Sequence, residues 1–162
     1  ILEQKATIIV DHISYNEIEG SYDSAIFTEE KHTSLDKAYE GKKSIVDYVF
    51  TDGTAIQSVE RKFVENLDTS TDVAVYAKLP KGFHIPTPVG NYSPDWAIAF
   101  KEGTVKHVYF VAETKGSMSS LDLREIEKGK IACADKLFEQ LSGSGIYYHK
   151  VTNYDDLMEW VK

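Results

Sequence analysis

VYFVAETKG, residues 108–116, opens as a strand bound for a core and ends on two charges. Setting Glu113 and Lys115 where the apolar run stops costs desolvation unless they are solvated, paired or holding a metal. Residues two apart on a strand share a face, so Glu113 and Lys115 project together, with Tyr109 and Val111 below them. Upstream, DWAIAF (95–100) reads as a second strand, joined to the first through Lys101-Glu102-Gly103-Thr104. Pairing Asp95 with Glu113 centres the turn on Thr104, inside that glycine-containing loop, and directly opposed residues share a face. This register predicts a hairpin that gathers Asp95, Glu113 and Lys115 at one end. Asp95 follows Pro94, in the only Pro-Asp of the chain.

Working outward, VAVYAKL (73–79) alternates as a strand, and PKGFHIPTPVGNYSP (80–94) is a Pro/Gly-rich loop. Before it, Thr54-Ala55-Ile56-Gln57 fits a capping box, and Ile56, Val59, Phe63 and Leu67 recur at helical spacing. Glu60 borders that apolar stripe. A second helix is predicted after Ser119-Ser120, with Ile131, Ala134, Phe138 and Leu141 on one side and Gly143 and Gly145 ending it. IYYHKV (146–151) reads as a strand and YDDLMEWVK (154–162) as a closing helix. The order helix, strand, strand, strand, helix, strand, helix implies an α/β domain with a central mixed sheet flanked by helices. Towards the N-terminus, KATIIV (5–10) and KSIVDYVF (43–50) read as strands, and IEGSYDSAIF (18–27) as two short strands about a turn at Gly20-Ser21.

Length and composition bound the function. The 162 residues suit a single domain, read as an N-terminal region over 1–42 and a core over 43–162. Its first residue is Ile1, which suggests a fragment of a longer polypeptide. The lone cysteine, Cys133, excludes an internal disulfide and a thiolate metal cluster, and a reducing cytoplasm fits it best. No window is apolar over the roughly 20 residues that a membrane helix needs. The net charge of −8 repels a phosphate backbone overall, which argues against tight nucleic-acid binding by this chain alone. Carboxylates collected to hold a divalent cation would also contribute to that excess.

A Glu-x-Lys tripeptide by itself is a weak signal, since others start at Glu3, Glu29, Glu40 and Glu60. The context is stronger. Pro94-Asp95 followed by Glu113-Thr114-Lys115 resembles the signature of the PD-(D/E)xK nucleases. IVDYVFTDGTAIQSVERKFVENLD (45–68), KLPKGFHIPTPVGNYSPDWAIAF (78–100) and VYFVAETKGSMSSLDLREIEKGKIACADKLF (108–138) are similar to the C-terminal endonuclease domain of the restriction subunit of type III restriction enzymes. The resemblance covers most of the chain from about residue 43.

It implies a restriction-endonuclease-like fold and Mg²⁺-dependent hydrolysis of DNA phosphodiester bonds. Asp95, Glu113 and the backbone carbonyl of Thr114 would then hold the metal, and Lys115 would act on the attacking water and the phosphate charge. Glu60 matches a helical glutamate that often completes such sites. Apart from the resemblance, Lys130 on the second helix, close in sequence to the hairpin, has a functional reading in which it turns toward the site and contacts a phosphate. Implied partners are double-stranded DNA, a modification (methyltransferase) subunit and a helicase-like motor. ATP would serve that motor, whose Gly-x-x-x-x-Gly-Lys-Ser/Thr loop this chain lacks.

Each of these residues also has an ordinary reading. Asp95, Glu113 and Lys115 could be a structural ion pair at a sheet end, Glu60 a solvated residue or a partner of Arg61, and Glu127 with Lys130 a helix pair. Arg124 parallels Lys130 more weakly. His84 reads as a surface residue, Asn91 and Tyr92 as shaping the turn, Trp96 as core on the face opposite Asp95, and Cys133 as buried and inert. Two rival functions remain: the nuclease module of another helicase–nuclease, and a non-catalytic interaction module on the same fold.

Overall fold

The computed structural model of the chain describes residues 24–27, 34–53, 58–80, 82–101, 108–111, 125–141 and 146–161. Strands β1 (Ala38–Glu40) and β2 (Tyr48–Phe50) form a small antiparallel pair. Helix α1 (Val59–Thr69) follows, then β3 (Val73–Lys78), β4 (Trp96–Phe100) and β5 (Val108–Val111). Helix α2 (Glu125–Leu141), strand β6 (Ile146–His149) and helix α3 (Tyr154–Val161) complete the described elements.

The expected mixed sheet is present, with strand order β3-β4-β5-β6. Successive strands pair antiparallel as far as β5, and β6 joins β5 in parallel. Alternation along β4 separates the two faces. Trp96, Ile98 and Phe100 are buried, while Ala97 and Ala99 between them are half-buried. The first set packs with Phe63, Val64 and Leu67 of α1 and Leu157, Met158 and Val161 of α3. Trp96 is its centre, with ring centroids 5.7 Å from Phe63 and 6.3 Å from Tyr76. On the other face, Tyr148 of β6 joins Ala134 and Phe138 of α2 and Ile85 of the long loop. The sheet thus lies between α1 with α3 on one side and α2 on the other.

Two buried carboxylates fasten α1, one near each end. Glu60 lies in its first turn. Asp68, near its C-terminus, accepts hydrogen bonds from the Tyr76 hydroxyl (3.2 Å), the Tyr39 hydroxyl (3.3 Å) and the Lys43 amide (2.9 Å). Burial, then the Asp68 charge, pushes the Tyr76 hydroxyl far above the usual tyrosine range, so it stays a donor. The chain around Lys43 also covers the outer edge of β3. Ile45 donates its N–H to the Tyr76 carbonyl, and Tyr76 donates its own to Lys43, both at 3.1 Å.

Several elements differ from expectation. Helix α1 starts at Val59 with Ser58 as its cap, whose hydroxyl accepts from the Arg61 amide at 3.1 Å. The capping box proposed at Thr54 and Gln57 lies outside the described residues, as does Ile56. Val59 is only half-buried, and Val64, absent from the expected stripe, is fully buried. The strand expected over 43–50 is a single bridge at Ser44 followed by β2, because the chain bends there to serve both β3 and β1. Residues 24–27 form a 3-10 turn instead of strand. The strand at 5–10, the turn at Gly20-Ser21 and the glycines at 143 and 145 lie outside the described residues.

Candidate active site

Pro94 is fully buried and fixes the backbone direction into β4. Asp95, next in line, is half-buried, and its carbonyl accepts the Leu79 amide at 2.8 Å. That bond ties the end of β3 to the start of β4. Asp95 alternates with Trp96, as expected, and so projects on the α2 side. Its charge is among those acting on Tyr148. Burial first, then the hydrogen-bonded Tyr92 hydroxyl, holds the Tyr148 phenol well above its usual range; Asp135 and Asp95 add to this.

Strand β5 runs beside β4 and ends its described part at Val111, directly opposite Trp96. This corrects the expected register. Pairing Asp95 with Glu113 requires paired numbers to sum to 208, whereas Trp96↔Val111, Ala97↔Phe110 and Ile98↔Tyr109 each sum to 207. The packing of Trp96, Ile98 and Phe100 fixes the alignment here, and a symmetric turn does not. Glu113, Thr114 and Lys115 lie outside the described residues, as does Arg124.

Glu60 sits on the other face of the same sheet end. It is 7% exposed, and both carboxylate oxygens are engaged. Oε1 lies 2.7 Å from Lys78 Nζ, and Oε2 accepts the Asp52 amide at 2.6 Å. Lys78 also donates to the Phe50 carbonyl at 2.7 Å and lies over the Trp96 ring. Arg61, the local partner considered for Glu60, bonds Glu65 and the Ala38 carbonyl instead. Lys78 is the residue that sequence reading missed; its only trace was a cation closing the alternating strand VAVYAK.

Lys130 of α2 lies across Gly90 in the loop that leads to Asp95. A methyl group on Gly90 would come 3.4 Å from Lys130 Cε and 3.7 Å from Nζ. Among the described residues no carboxylate pairs with Lys130, so the helix pair with Glu127 is not formed there. Cys133 is buried, as expected. Among the described residues no group of three or more His, Cys, Asp and Glu is placed to hold a metal ion, and no helix is long and apolar enough to cross a membrane.

The buried proline and half-exposed aspartate open the middle of the sheet, beside the strand that runs on toward Glu-Thr-Lys. The family model described as endonuclease domain matches residues 42–154, which include both. The chain belongs to the endonuclease domain family. This endonuclease domain is 30% identical to the Res subunit of the type III restriction-modification enzyme EcoPI from Escherichia phage P1. It is also 30% identical to the Res subunit of the type III enzyme EcoP15I from Escherichia coli. Each match covers 93% of the chain, which spans 17% of the length of either relative. No solved structure matches it.

Proposed function

We propose that this endonuclease domain hydrolyses DNA phosphodiester bonds through a PD-(D/E)xK site made of Asp95, Glu113 and Lys115. One observation carries the reading. Asp95 follows a buried proline and stands half-exposed at the end of β4, next to the strand that leads into Glu113-Thr114-Lys115. Family membership and the two Res relatives support it.

The donor set suits Mg²⁺. Two carboxylates and a backbone carbonyl offer hard oxygen ligands, and Mg²⁺ is commonly held by one or two carboxylates with several waters retained. Asp95, Glu113 and the Thr114 carbonyl would hold it. When bound, such an ion supplies a nucleophile at neutral pH and a clamp on the anionic transition state. Lys115 would orient the attacking water and offset charge growing on the phosphate. Glu60 has a supporting place in this scheme: engaged by Lys78 and the Asp52 amide, it fixes α1 against the sheet end that Asp95 occupies.

By analogy with the Res subunits, the domain would work inside an ATP-dependent restriction complex, with a modification subunit and a motor delivering the duplex. A net charge of −8 then has a use, since a nuclease that binds DNA poorly on its own cuts little at random. The test is DNA cleavage by the full-length subunit in its complex, with ATP and Mg²⁺. Asp95→Ala and Lys115→Ala should each abolish cutting while ATP turnover continues. Undiminished cutting by either variant overturns the assignment.

A further inference from the structure

The loop before Asp95 is a built element. Ile85 and Tyr92 exchange both backbone hydrogen bonds, at 2.7 and 2.9 Å, and so form the neck of a small ribbon. Its tip turns at Thr87–Gly90. The Gly90 amide bonds the Thr87 carbonyl at 3.1 Å, and Gly90 adopts a φ of 113° that side chains other than glycine's rarely accept. The neck is anchored. Ile85 is buried against α2, and the Tyr92 hydroxyl lies 2.7 Å from that of Tyr148. Its tip, by contrast, is exposed at Pro86, Pro88, Val89, Gly90 and Asn91.

Charge separates this ribbon from the rest of the chain. Although the protein carries 26 acidic residues, none falls between Lys78, itself paired with Glu60, and Pro94, while Lys81 and His84 do. Lys130 stretches across Gly90 and finds no carboxylate among the described residues. A half-buried lysine with no carboxylate partner among the described residues is suited to an anion brought from outside. The ribbon therefore presents an acid-free tip on an anchored neck, with a cation at its side, a few residues from the candidate catalytic aspartate.

From these features we infer that the Ile85–Tyr92 ribbon is a DNA-docking element, which seats the phosphate backbone of a duplex next to the cut position. Lys130 pairs with a backbone phosphate, and Asn91 at the tip lies against the same strand. The contact is with the sugar-phosphate backbone, so it positions the duplex without reading its sequence. The anchored neck transmits that position to Asp95 through Ser93 and Pro94. This rests on the nuclease reading above and adds to it the surface that meets the substrate.

The test uses the full-length subunit in its complex, with Asn91→Glu and Lys130→Gln compared with Lys130→Arg and Asp95→Asn. Asn91→Glu adds an acid to an exposed position and should raise the KM for DNA by about three- to tenfold near physiological salt, with recovery at low salt. Lys130→Gln should weaken binding alike on unrelated sequences and reduce the slope of log affinity against log salt by about one, while Lys130→Arg keeps it. ATP turnover and the unfolding midpoint should stay at wild-type values. Wild-type KM and salt slope in both Asn91→Glu and Lys130→Gln overturn the docking role, as does loss of subunit assembly in place of a change in salt slope. Cutting that persists in Asp95→Asn instead overturns the nuclease reading, whatever the ribbon variants do.

Discussion

Glu60 Oε1 lies 2.7 Å from Lys78 Nζ, so a buried carboxylate of α1 is fixed to the last residue of β3. The adjacent residue, Leu79, donates its amide to the Asp95 carbonyl. Helix, strand and candidate catalytic residue are thus joined within two residues of chain. Lys78→Met would leave Glu60 with only the Asp52 amide. Because Lys78 is about one-third exposed, the loss of stability should be moderate, about 1–3 kcal/mol. Urea unfolding measures it. Adding Glu60→Gln should recover part of the loss, since the orphaned charge is then gone.

The Tyr92 and Tyr148 hydroxyls share one hydrogen bond at the neck of the ribbon. Tyr92→Phe leaves the buried Tyr148 hydroxyl unsatisfied and should cost about 1–3 kcal/mol, whereas the double change to Phe should cost less than the sum of the singles. Titration adds a second readout. Burial raises the folded-state pKa of Tyr148, so its contribution is complete below the unfolded value of about 10 and is lost as pH rises above it. Stability should therefore fall above about pH 10, and Tyr148→Phe should fall less steeply.

His149 stacks on Trp160 with ring centroids 4.4 Å apart. Burial lowers its pKa, against opposing pulls from Asp135 and Asp156. The neutral ring is the one favoured by folding, so its contribution is present above the unfolded value of about 6.5 and is lost as pH falls toward the folded one. An NMR titration should place the His149 midpoint below 6.5. Trp160→Ala uncovers the ring and should move that midpoint upward.

Glu113→Gln keeps the size of the side chain while weakening it as an oxygen ligand. The Mg²⁺ concentration for half-maximal cutting should rise by about tenfold or more, with ATP turnover unchanged at saturating Mg²⁺. Cleavage measured across a Mg²⁺ series decides it. An unchanged midpoint would remove Glu113 from the metal.

Local periodicity made much of this fold legible. Phe63 and Leu67 repeat at helical spacing, and Trp96, Ile98 and Phe100 alternate, so α1 and β4 and their buried faces could be read directly. Ends were harder. Thr54 and Ser58 are both good caps, and spacing alone does not choose between them. Strand β1 has three residues and shows no period at all. Register was the least legible feature, because a turn of unspecified type leaves the alignment free by one residue, and burial of Trp96 opposite Val111 settled it. The chemistry-bearing residues stood out as a motif. What holds Glu60 did not, because Lys78 arrives from a later strand, where sequence favoured Arg61 next door.

The segment 43–45 already occupies the outer flank of β3. A flank capped in this way at Tyr76 leaves another chain less unpaired backbone to copy, which guards against edge-to-edge aggregation at that point. A second copy approaching this flank would have to displace segment 43–45 before it could extend the sheet at Tyr76.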